Sequence, residues 1–358
     1  MTESQAYIAF NLVENVGVVT LTKLIQSAGS AVKAWEAYPK KLSRTGEAVD
    51  WAKEEALARK LGVTILTLAD DAYPRRLKDA PGAPLALYVK GDVAALSKPF
   101  VALVGTRRAT AYGRTVARRL SEGLARAGWG IVSGLATGID AEAHRGTLDA
   151  DGVTVGVLGS ALDRFFPEEN RALAREIVEK GGAVVSEFPF GRPADQTTFP
   201  IRNHVVAALA TGVVAVECPS RSGTLITTSI AADLGRTVMA VPAAIDSRMS
   251  AGCLSLIREG ATLVRNTDDV LQELGTLSLR ASAPKPDETR DPDLPAFTAE
   301  EALIVNELDK DGVSMDELVR RTNLPAEKVR SLSMGLRIKG IANFLPGNRI
   351  ATISSPEW

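Results

Sequence analysis

The chain has 358 residues, with 45% hydrophobic and 24% charged residues, which are ordinary values for a globular protein of two or three domains. Its formal net charge of −1 gives the whole molecule no attraction for polyanions, so any surface for nucleic acid has to be local. Because there is no long apolar run and no basic-then-apolar start, we expect a cytoplasmic protein with no membrane span and no secretory signal.

Residues 1–66 predict a helical domain. Apolar residues recur at helical spacing in YIAFNLVENV, VVTLTKLIQSAG and DWAKEEALARKLG. Each run reaches a glycine (Gly17, Gly29 or Gly62), which is typical of helix C-termini. The middle of the segment resembles a helix-hairpin-helix or SAM-like module, and a plain scaffold domain is the open alternative.

Residues 67–275 predict an α/β domain. Short apolar runs alternate here with helical patterns: FVALVG, GIVSG, VTVGVLG, AVVSE, VVAVE, TVMAVP and TLV. Buried strands that alternate with helices are typical of a doubly wound parallel sheet with helices on both faces. The segment is therefore predicted to be an extended Rossmann-like domain.

The last part of the chain predicts a linker and a small domain. Residues 276–296 contain four prolines and no apolar period, which indicates a linker. In residues 297–358, three helical patterns precede a hairpin pattern with an LPGN turn, the order of a winged helix. Seven basic residues against two acids between 317 and 349 predict a contact with duplex DNA or a protein, or simply a solvated face.

The predicted strand ends carry small residues suited to binding an anion. Glycine at a strand-to-helix turn lets a phosphate approach the backbone, and free N–H groups at a helix start favour negative charge. The alternative is that these residues only form tight turns and helix caps. The candidate glycines are Gly105, Gly134, Gly138, Gly159 and Gly223, and the hydroxyl donors beside them are Thr106, Ser133, Ser160, Ser222, Thr224, Thr227 and Thr228.

Arginine adds positive charge at two of these places. Six arginines and one acid lie between residues 100 and 130, and Arg107 directly follows Gly105-Thr106. In FPIRNHV, Phe199 is predicted to stack on a base, Arg202 to contact phosphate and Asn203 to read a base edge. A core role for Phe199 and a capping role for Asn203 are equally open.

The common enzyme and metal motifs are absent from the sequence. It contains no GxGxxG after the first predicted strand and no GxxxxGK[ST], GxSxG, HExxH or CxxC motif. Two cysteines and two histidines are too few for a disulfide framework or a His-rich metal site. We therefore expect no cofactor, no metal and no catalytic residue.

The ordered motifs VGTRRATAYG, SGLATGIDAEAH, SEFPFG, FPIRN, ECPSRSGTLITTSIAADLGR and AVP resemble the DprA/Smf (DNA-processing protein A) family. The resemblance covers roughly 200 residues of the predicted sheet domain. It implies a cytoplasmic homodimer that binds and protects incoming single-stranded DNA during natural transformation and loads the RecA recombinase onto it. It implies no catalytic activity.

Carried onto this chain, the resemblance implies two phosphate-binding loops, an SGT loop and an RN element. These are Gly105-Thr106-Arg107, Ser133-Gly134, Ser222-Gly223-Thr224 and Arg202-Asn203. The sequence departs from the family pattern at four positions: His204 replaces an arginine, Ala243 and Ala161 replace glycines, and Phe166 replaces a tyrosine.

Two further hypotheses concern self-association and catalysis. The resemblance implies a dimer near the segment that closes the sheet, where Leu254, Ile257 and Leu263 offer an apolar face, although core packing explains them as easily. The rival function is a nucleotide-processing enzyme of the lysine-decarboxylase-like phosphoribohydrolase type. Those enzymes have PGGxGT followed by a glutamate, whereas this chain has PSRSGTLITT with none.

Overall fold

The computed structural model describes residues 1–13, 16–38, 48–275, 298–308, 312–338, 342–345 and 349–352. The chain divides into two compact units, residues 1–280 and 281–358. The predicted linker at 276–296 lies outside the described residues, and the domain boundaries drawn from the sequence stay predictions.

Four helices open the first unit: α1 (Glu3–Asn11), α2 (Val18–Ala28), α3 (Ala31–Ala37) and α4 (Trp51–Leu61). Phe10 and Trp35 are buried between them with their rings edge to face. Gly29 and Gly62 end α2 and α4 in the left-handed conformation, as predicted. The prediction for Gly17 is wrong, because α1 already ends at Asn11 and Gly17 is the extended residue that precedes α2.

A nine-stranded sheet forms the centre of the first unit, in the order β1-β2-β6-β5-β4-β3-β7-β8-β9. The seven strands predicted from apolar runs are confirmed, and all pair in parallel. They are β3 (Phe100–Val104), β4 (Gly130–Ser133), β5 (Thr154–Val157), β6 (Ala183–Ser186), β7 (Ala210–Ala215), β8 (Thr237–Ala240) and β9 (Thr262–Leu263). The antiparallel strands β1 (Thr64–Thr67), at the edge, and β2 (Ala86–Gly91), between β1 and β6, were not predicted.

Helices cover both faces of this sheet, as the doubly wound prediction requires. Alternate residues of β3 enter two different cores: Ala102 and Val104 belong to one, Val101 and Leu103 to the other. The helices are α5 (Arg75–Lys78), α6 (Ala111–Arg126), α7 (Ile139–Asp149), α8 (Arg171–Glu179), α9 (Thr198–Leu209), α10 (Gly223–Asp233), α11 (Ala251–Arg258) and α12 (Thr267–Glu273), with 3-10 turns at Val93–Ser97 and Glu168–Asn170.

The second unit has the element order of a winged helix, as predicted. Helices α13 (Ala299–Glu307), α14 (Met315–Thr322) and α15 (Ala326–Ile338) accompany strands β10 (Val313–Ser314), β11 (Ala342–Leu345) and β12 (Arg349–Thr352). Ile304, Leu318 and Leu336, one from each helix, are fully buried in a common core. Residues 346–348 of the predicted LPGN turn lie outside the described residues.

The strand order fixes where a ligand can bind to the first unit. From β3 the chain adds β4, β5 and β6 on one side, then crosses to β7, β8 and β9 on the other. Loops after the strands on either side of this reversal diverge and leave a crevice at the carboxyl edge of the sheet. The predicted anion-binding turns follow β3, β4, β5 and β7, so the fold carries them all to this edge.

Candidate nucleic-acid interface

Two strand-end loops pack closely at the carboxyl edge of the sheet. The Ile139 N–H donates to the carbonyl of Thr106 at 3.2 Å, which joins the loop after β4 to the loop after β3. Gly138 has a φ of +83°, and a Cβ there would lie 2.3 Å from the Thr106 oxygen. Only glycine allows this approach, so the glycine-rich sequence is needed to bring the two loops together.

A cleft of about 170 Å³ opens beside these loops. It lies above the ends of β4 and β5 and is closed on one side by the start of α9. Its lining is Arg107, Gly134, Ala136, Thr137, Gly159, Phe166, Pro167, Glu169, Phe199 and Arg202. The lining of the cleft thus combines glycine backbone with two aromatic rings, two arginines and one glutamate.

Arg107 reaches over the aromatic side of the cleft. Its guanidinium carbon lies 4.8 Å from the centre of the Phe199 ring, and the Phe166 ring centre lies 6.2 Å from that of Phe199. The Arg107 side chain is exposed, and it has no hydrogen bond or ion pair with any described residue. A cation in this position is oriented by an aromatic face yet keeps its N–H donors free for an anion.

Arg202 lies at the floor of the cleft and is buried. Its guanidinium donates to the carbonyl of Gly134 and, at 2.7 Å, to that of Val157, so it connects α9 to the ends of β4 and β5. Burial lowers the pKa of Arg202 to about 10, an effect that the nearby Asp140 carboxylate opposes. The guanidinium of Arg202 thus already has two backbone acceptors in the free protein. A phosphate contact by Arg202 remains a prediction.

Asp140 holds the loop after β4 through hydrogen bonds to the loop backbone. Its carboxylate accepts the N–H of Gly134 at 3.1 Å and the N–H of Ala136 at 3.4 Å. Burial raises the pKa of Asp140, while the positive charge of Arg202 acts in the opposite direction. Asp140 and Arg202 therefore both bond to the backbone of the loop after β4 and fix the glycine-rich wall of the cleft.

His144 is fully buried near Arg202. Its Nδ1 is 2.7 Å from the Thr154 hydroxyl, and its Nε2 is buried without a hydrogen-bond partner among the described residues. Burial lowers the pKa of His144 to about 3, with the positive charge of Arg202 as the next cause. The imidazole is therefore neutral at physiological pH and adds no charge to the cleft.

Glu217, which follows the end of β7, has a structural role. Its carboxylate accepts the Thr110 N–H at 2.9 Å and the Thr110 hydroxyl, and Thr110 is the N-cap of α6. A Cβ on Gly113 would lie 2.3 Å from this carboxylate, so the first turn of α6 needs a glycine there. The glutamate thus satisfies the backbone and the N-cap side chain at the start of α6.

The Ser222-Gly223-Thr224 turn begins α10, as the capping alternative predicted. The Ser222 hydroxyl accepts the Thr224 N–H at 3.2 Å. Asn203 reaches this turn from α9, donating from Nδ2 to the Gly223 carbonyl at 3.4 Å, and its oxygen accepts from Nε of Arg202 at 3.2 Å. The turn and Asn203 form a second element next to the cleft and outside its lining.

The structure brings four of the predicted DNA-binding residues into the cleft: Arg107, Gly134, Phe199 and Arg202. Gly105 and Thr106 lie behind Arg107, and Ser133 is fully buried with its hydroxyl donating to the Leu103 carbonyl. DNA contact by any of these residues remains a prediction. The sequence reasoning missed Ala136, Thr137, Phe166, Pro167 and Glu169 as lining residues, although an aromatic residue beside proline in a strand-end loop was an available signal.

The residues predicted for self-association lie on the far side of the sheet from the N-terminal helices. Leu263, on the edge strand β9, is 42% exposed. Ile257 packs against the buried Cys218 and Cys253, which favours the core-packing alternative for this residue, and Leu254 is half-buried. The dimer remains a prediction.

The basic residues of the winged-helix unit are largely engaged within the unit. Arg321 pairs with Glu317 at 2.6 Å, Lys328 pairs with Glu300, and Arg349 donates to the Gly312 carbonyl. Arg337 lies 5.5 Å from the centre of the Phe344 ring. Arg320 and Arg330 have no such partner among the described residues, and Lys339 lies outside them.

Two kinds of feature are absent from the described ranges. Across the described ranges, no group of three or more histidine, cysteine, aspartate or glutamate side chains could hold a metal ion. No helix in the same ranges is long and apolar enough to cross a membrane.

Known proteins resemble this chain over both units. The model of the family "DNA recombination-mediator protein A" matches residues 64–275, and that of the DprA winged-helix domain matches residues 283–348. Protein Smf of Synechocystis is 33% identical over 296 residues, covering 78% of this chain and 74% of the relative. The DNA processing protein DprA of Streptococcus pneumoniae is 40% identical over 207 residues, covering 58% and 73%.

Two solved structures are similar as well. The X-ray structure of DprA from Streptococcus pneumoniae covers 76% of this chain and 98% of that one, with 30% identity and a TM-score of 0.63. DprA from Helicobacter pylori, described for its single-stranded DNA binding mode, covers 59% of this chain and 95% of that one, with 28% identity and a TM-score of 0.53. The family model, the relatives and the fold agree, and the chain belongs to the DprA/Smf family of DNA recombination-mediator proteins.

Proposed function

We propose that this protein binds single-stranded DNA in the cleft at the carboxyl edge of its sheet and acts as a recombination mediator. The observation that carries the proposal is the position of Arg107, whose free guanidinium lies over the Phe199 ring at the mouth of the cleft. A phosphate and a base of a single strand are recognised by this combination of a cation and an aromatic face.

The wall of the cleft supports this binding mode. Gly134 and Gly159 leave backbone without side chains, and Phe166 is 46% exposed at the edge. An unpaired base can enter beside the aromatic rings, whereas the bases of a duplex are already stacked and paired. Single strands are therefore expected to bind more tightly than duplex, with only modest dependence on sequence.

The Helicobacter pylori relative supports the choice of ligand, because its structure is described in terms of single-stranded DNA binding. The family resemblance supports the finer role: a cytoplasmic homodimer that protects incoming DNA during natural transformation and loads the RecA recombinase. In this proposal the protein is a binding protein with no catalytic step.

The binding proposal is tested by fluorescence anisotropy with a labelled oligonucleotide, single-stranded or annealed into a blunt duplex, at the same salt concentration. We expect tighter binding of the single strand and a loss of affinity as salt rises, because bound phosphates release counterions. Equal affinity for both forms would refute the proposal.

The mediator role needs a separate assay. RecA-catalysed strand exchange on DNA coated with single-strand-binding protein is expected to speed up when this protein is added, and an unchanged rate would refute loading. Incubation with AMP is the control for the rival enzyme, and we expect no released base.

A further inference from the structure

The cleft contains one acidic side chain, Glu169, among the arginines that are expected to attract DNA. Glu169 is exposed, and its carboxylate has no hydrogen bond or ion pair with any residue that the structure describes. A carboxylate repels phosphate, so its presence in a phosphate-binding cleft calls for a different partner. The proposed binding of single-stranded DNA supplies one, because nucleobases carry N–H donors.

The residues around Glu169 are fixed, which holds its position against the cleft. Asn170 is buried and donates from Nδ2 to the Leu135 carbonyl at 2.8 Å, which attaches the Glu168–Asn170 turn to the loop after β4. On the other side, Glu168 pairs with Arg171 at 2.5 Å. Both neighbours of Glu169 therefore bond to other residues. The carboxylate of Glu169 lies at the cleft, and its oxygens are free to accept hydrogen bonds.

The cleft has a size that suits one base. Its volume of about 170 Å³ equals the share of roughly five or six water molecules in the liquid, which is space for a single planar ring system. The Phe166 and Phe199 rings supply an apolar surface for stacking, and Arg107 supplies N–H donors for a base oxygen. Glu169 is the charged acceptor in this lining.

The four bases differ in what they offer to a carboxylate. Guanine presents two adjacent donors on its Watson–Crick edge, the N1–H and the N2 amino group, which match the two carboxylate oxygens. Cytosine and adenine present one amino group next to a ring nitrogen acceptor. Thymine presents one N–H between two carbonyl oxygens, which a carboxylate repels. Bidentate contact therefore selects guanine, and unpaired bases of a single strand are read on this edge.

We infer that Glu169 makes the cleft a base-selective pocket that prefers guanine, and this inference rests on the proposed binding of single-stranded DNA. Only the base that occupies the pocket is selected, so the rest of the strand is held without regard to sequence. The preference is expected to be about fivefold, the lower end of the contribution of a bidentate side-chain contact to a base, because the carboxylate is exposed.

The test compares three oligonucleotides of equal length, d(T)n, d(TTG)n and d(TTI)n, by fluorescence anisotropy on the full-length protein in lithium salt, which does not support guanine quartets. Inosine is guanosine without the N2 amino group. We expect wild-type protein to bind d(TTG)n most tightly and d(T)n least, with d(TTI)n between them. Glu169→Ala is expected to bind all three alike and d(T)n at least as well as wild type, because a repulsive charge is removed.

Glu168→Ala is the matched control, since it removes the adjacent acid that pairs with Arg171 outside the cleft lining. It is expected to keep the preference for guanine. Normal binding of d(T)n by wild type with no preference, or a preference that survives in Glu169→Ala, would overturn this inference and leave the proposed function standing. Failure of wild type to bind any of the strands would overturn both.

Discussion

Arg107→Ala is the substitution that tests the cleft most directly. The Arg107 guanidinium lies 4.8 Å from the centre of the Phe199 ring and has no hydrogen bond or ion pair with a described residue. An exposed cation–π contact contributes about 0.5–1 kcal/mol, so the free energy of unfolding should change by no more than that. A hydrogen bond to a charged group contributes about 1.5–3 kcal/mol, and this is the expected loss of binding free energy.

That loss corresponds to a rise in Kd of about 10- to 150-fold. Fluorescence anisotropy with a labelled d(T)n strand measures it, and repeating the titration at several salt concentrations tests its cause. Removing one phosphate contact on a single strand should lower the slope of log K against log salt by about 0.7. Arg107→Lys keeps the charge but loses the planar fork, so it should recover only part of the affinity.

Arg126→Ala is the control, because Arg126 is an exposed arginine in the last turn of α6, at the end of the helix farthest from the cleft. Its removal should change affinity far less. Comparable losses from both substitutions would refute a defined site and indicate diffuse attraction. A marked fall in the melting temperature of Arg107→Ala would show instead that the residue is structural.

Three further predictions follow from other contacts. Arg202→Ala removes the buried donor to two carbonyls and the positive charge near Asp140. The free energy of unfolding, measured with urea, should therefore fall by about 3–5 kcal/mol. An unchanged midpoint of unfolding with weakened DNA binding would favour a direct phosphate contact instead. Burial raises the pKa of Glu187 from 4.5 to about 8. Between these values unfolding releases the Glu187 proton, so the free energy of unfolding should fall as pH rises from about 5 to 8. Glu187→Gln should flatten this fall, and the same pH dependence of the melting temperature in both proteins would contradict the prediction. Truncation after Leu294 should leave single-strand affinity largely intact, and near-total loss would move the main site to the tail.

Most elements of the fold could be predicted from the amino-acid sequence. The seven parallel strands were predictable because a strand buried on both faces has a continuous apolar sequence, as in FVALV of β3. The winged-helix order was predictable from helical periodicity. Strands β1 and β2 were missed because they lie outside the alternation of apolar runs and helical patterns that marked the parallel strands, and they join the sheet by antiparallel pairing.

The sequence also marked the glycine turns and Arg107, since residue type and position after a strand are local properties. Which of these side chains face the cleft depends on how distant segments pack together. Arg202 and Arg107 are both arginines in strand-end or helix-start motifs, yet Arg202 is buried on two carbonyls and Arg107 is free over Phe199. The difference depends on carbonyls and rings that are distant in sequence, and the same holds for Glu169, which no motif singled out.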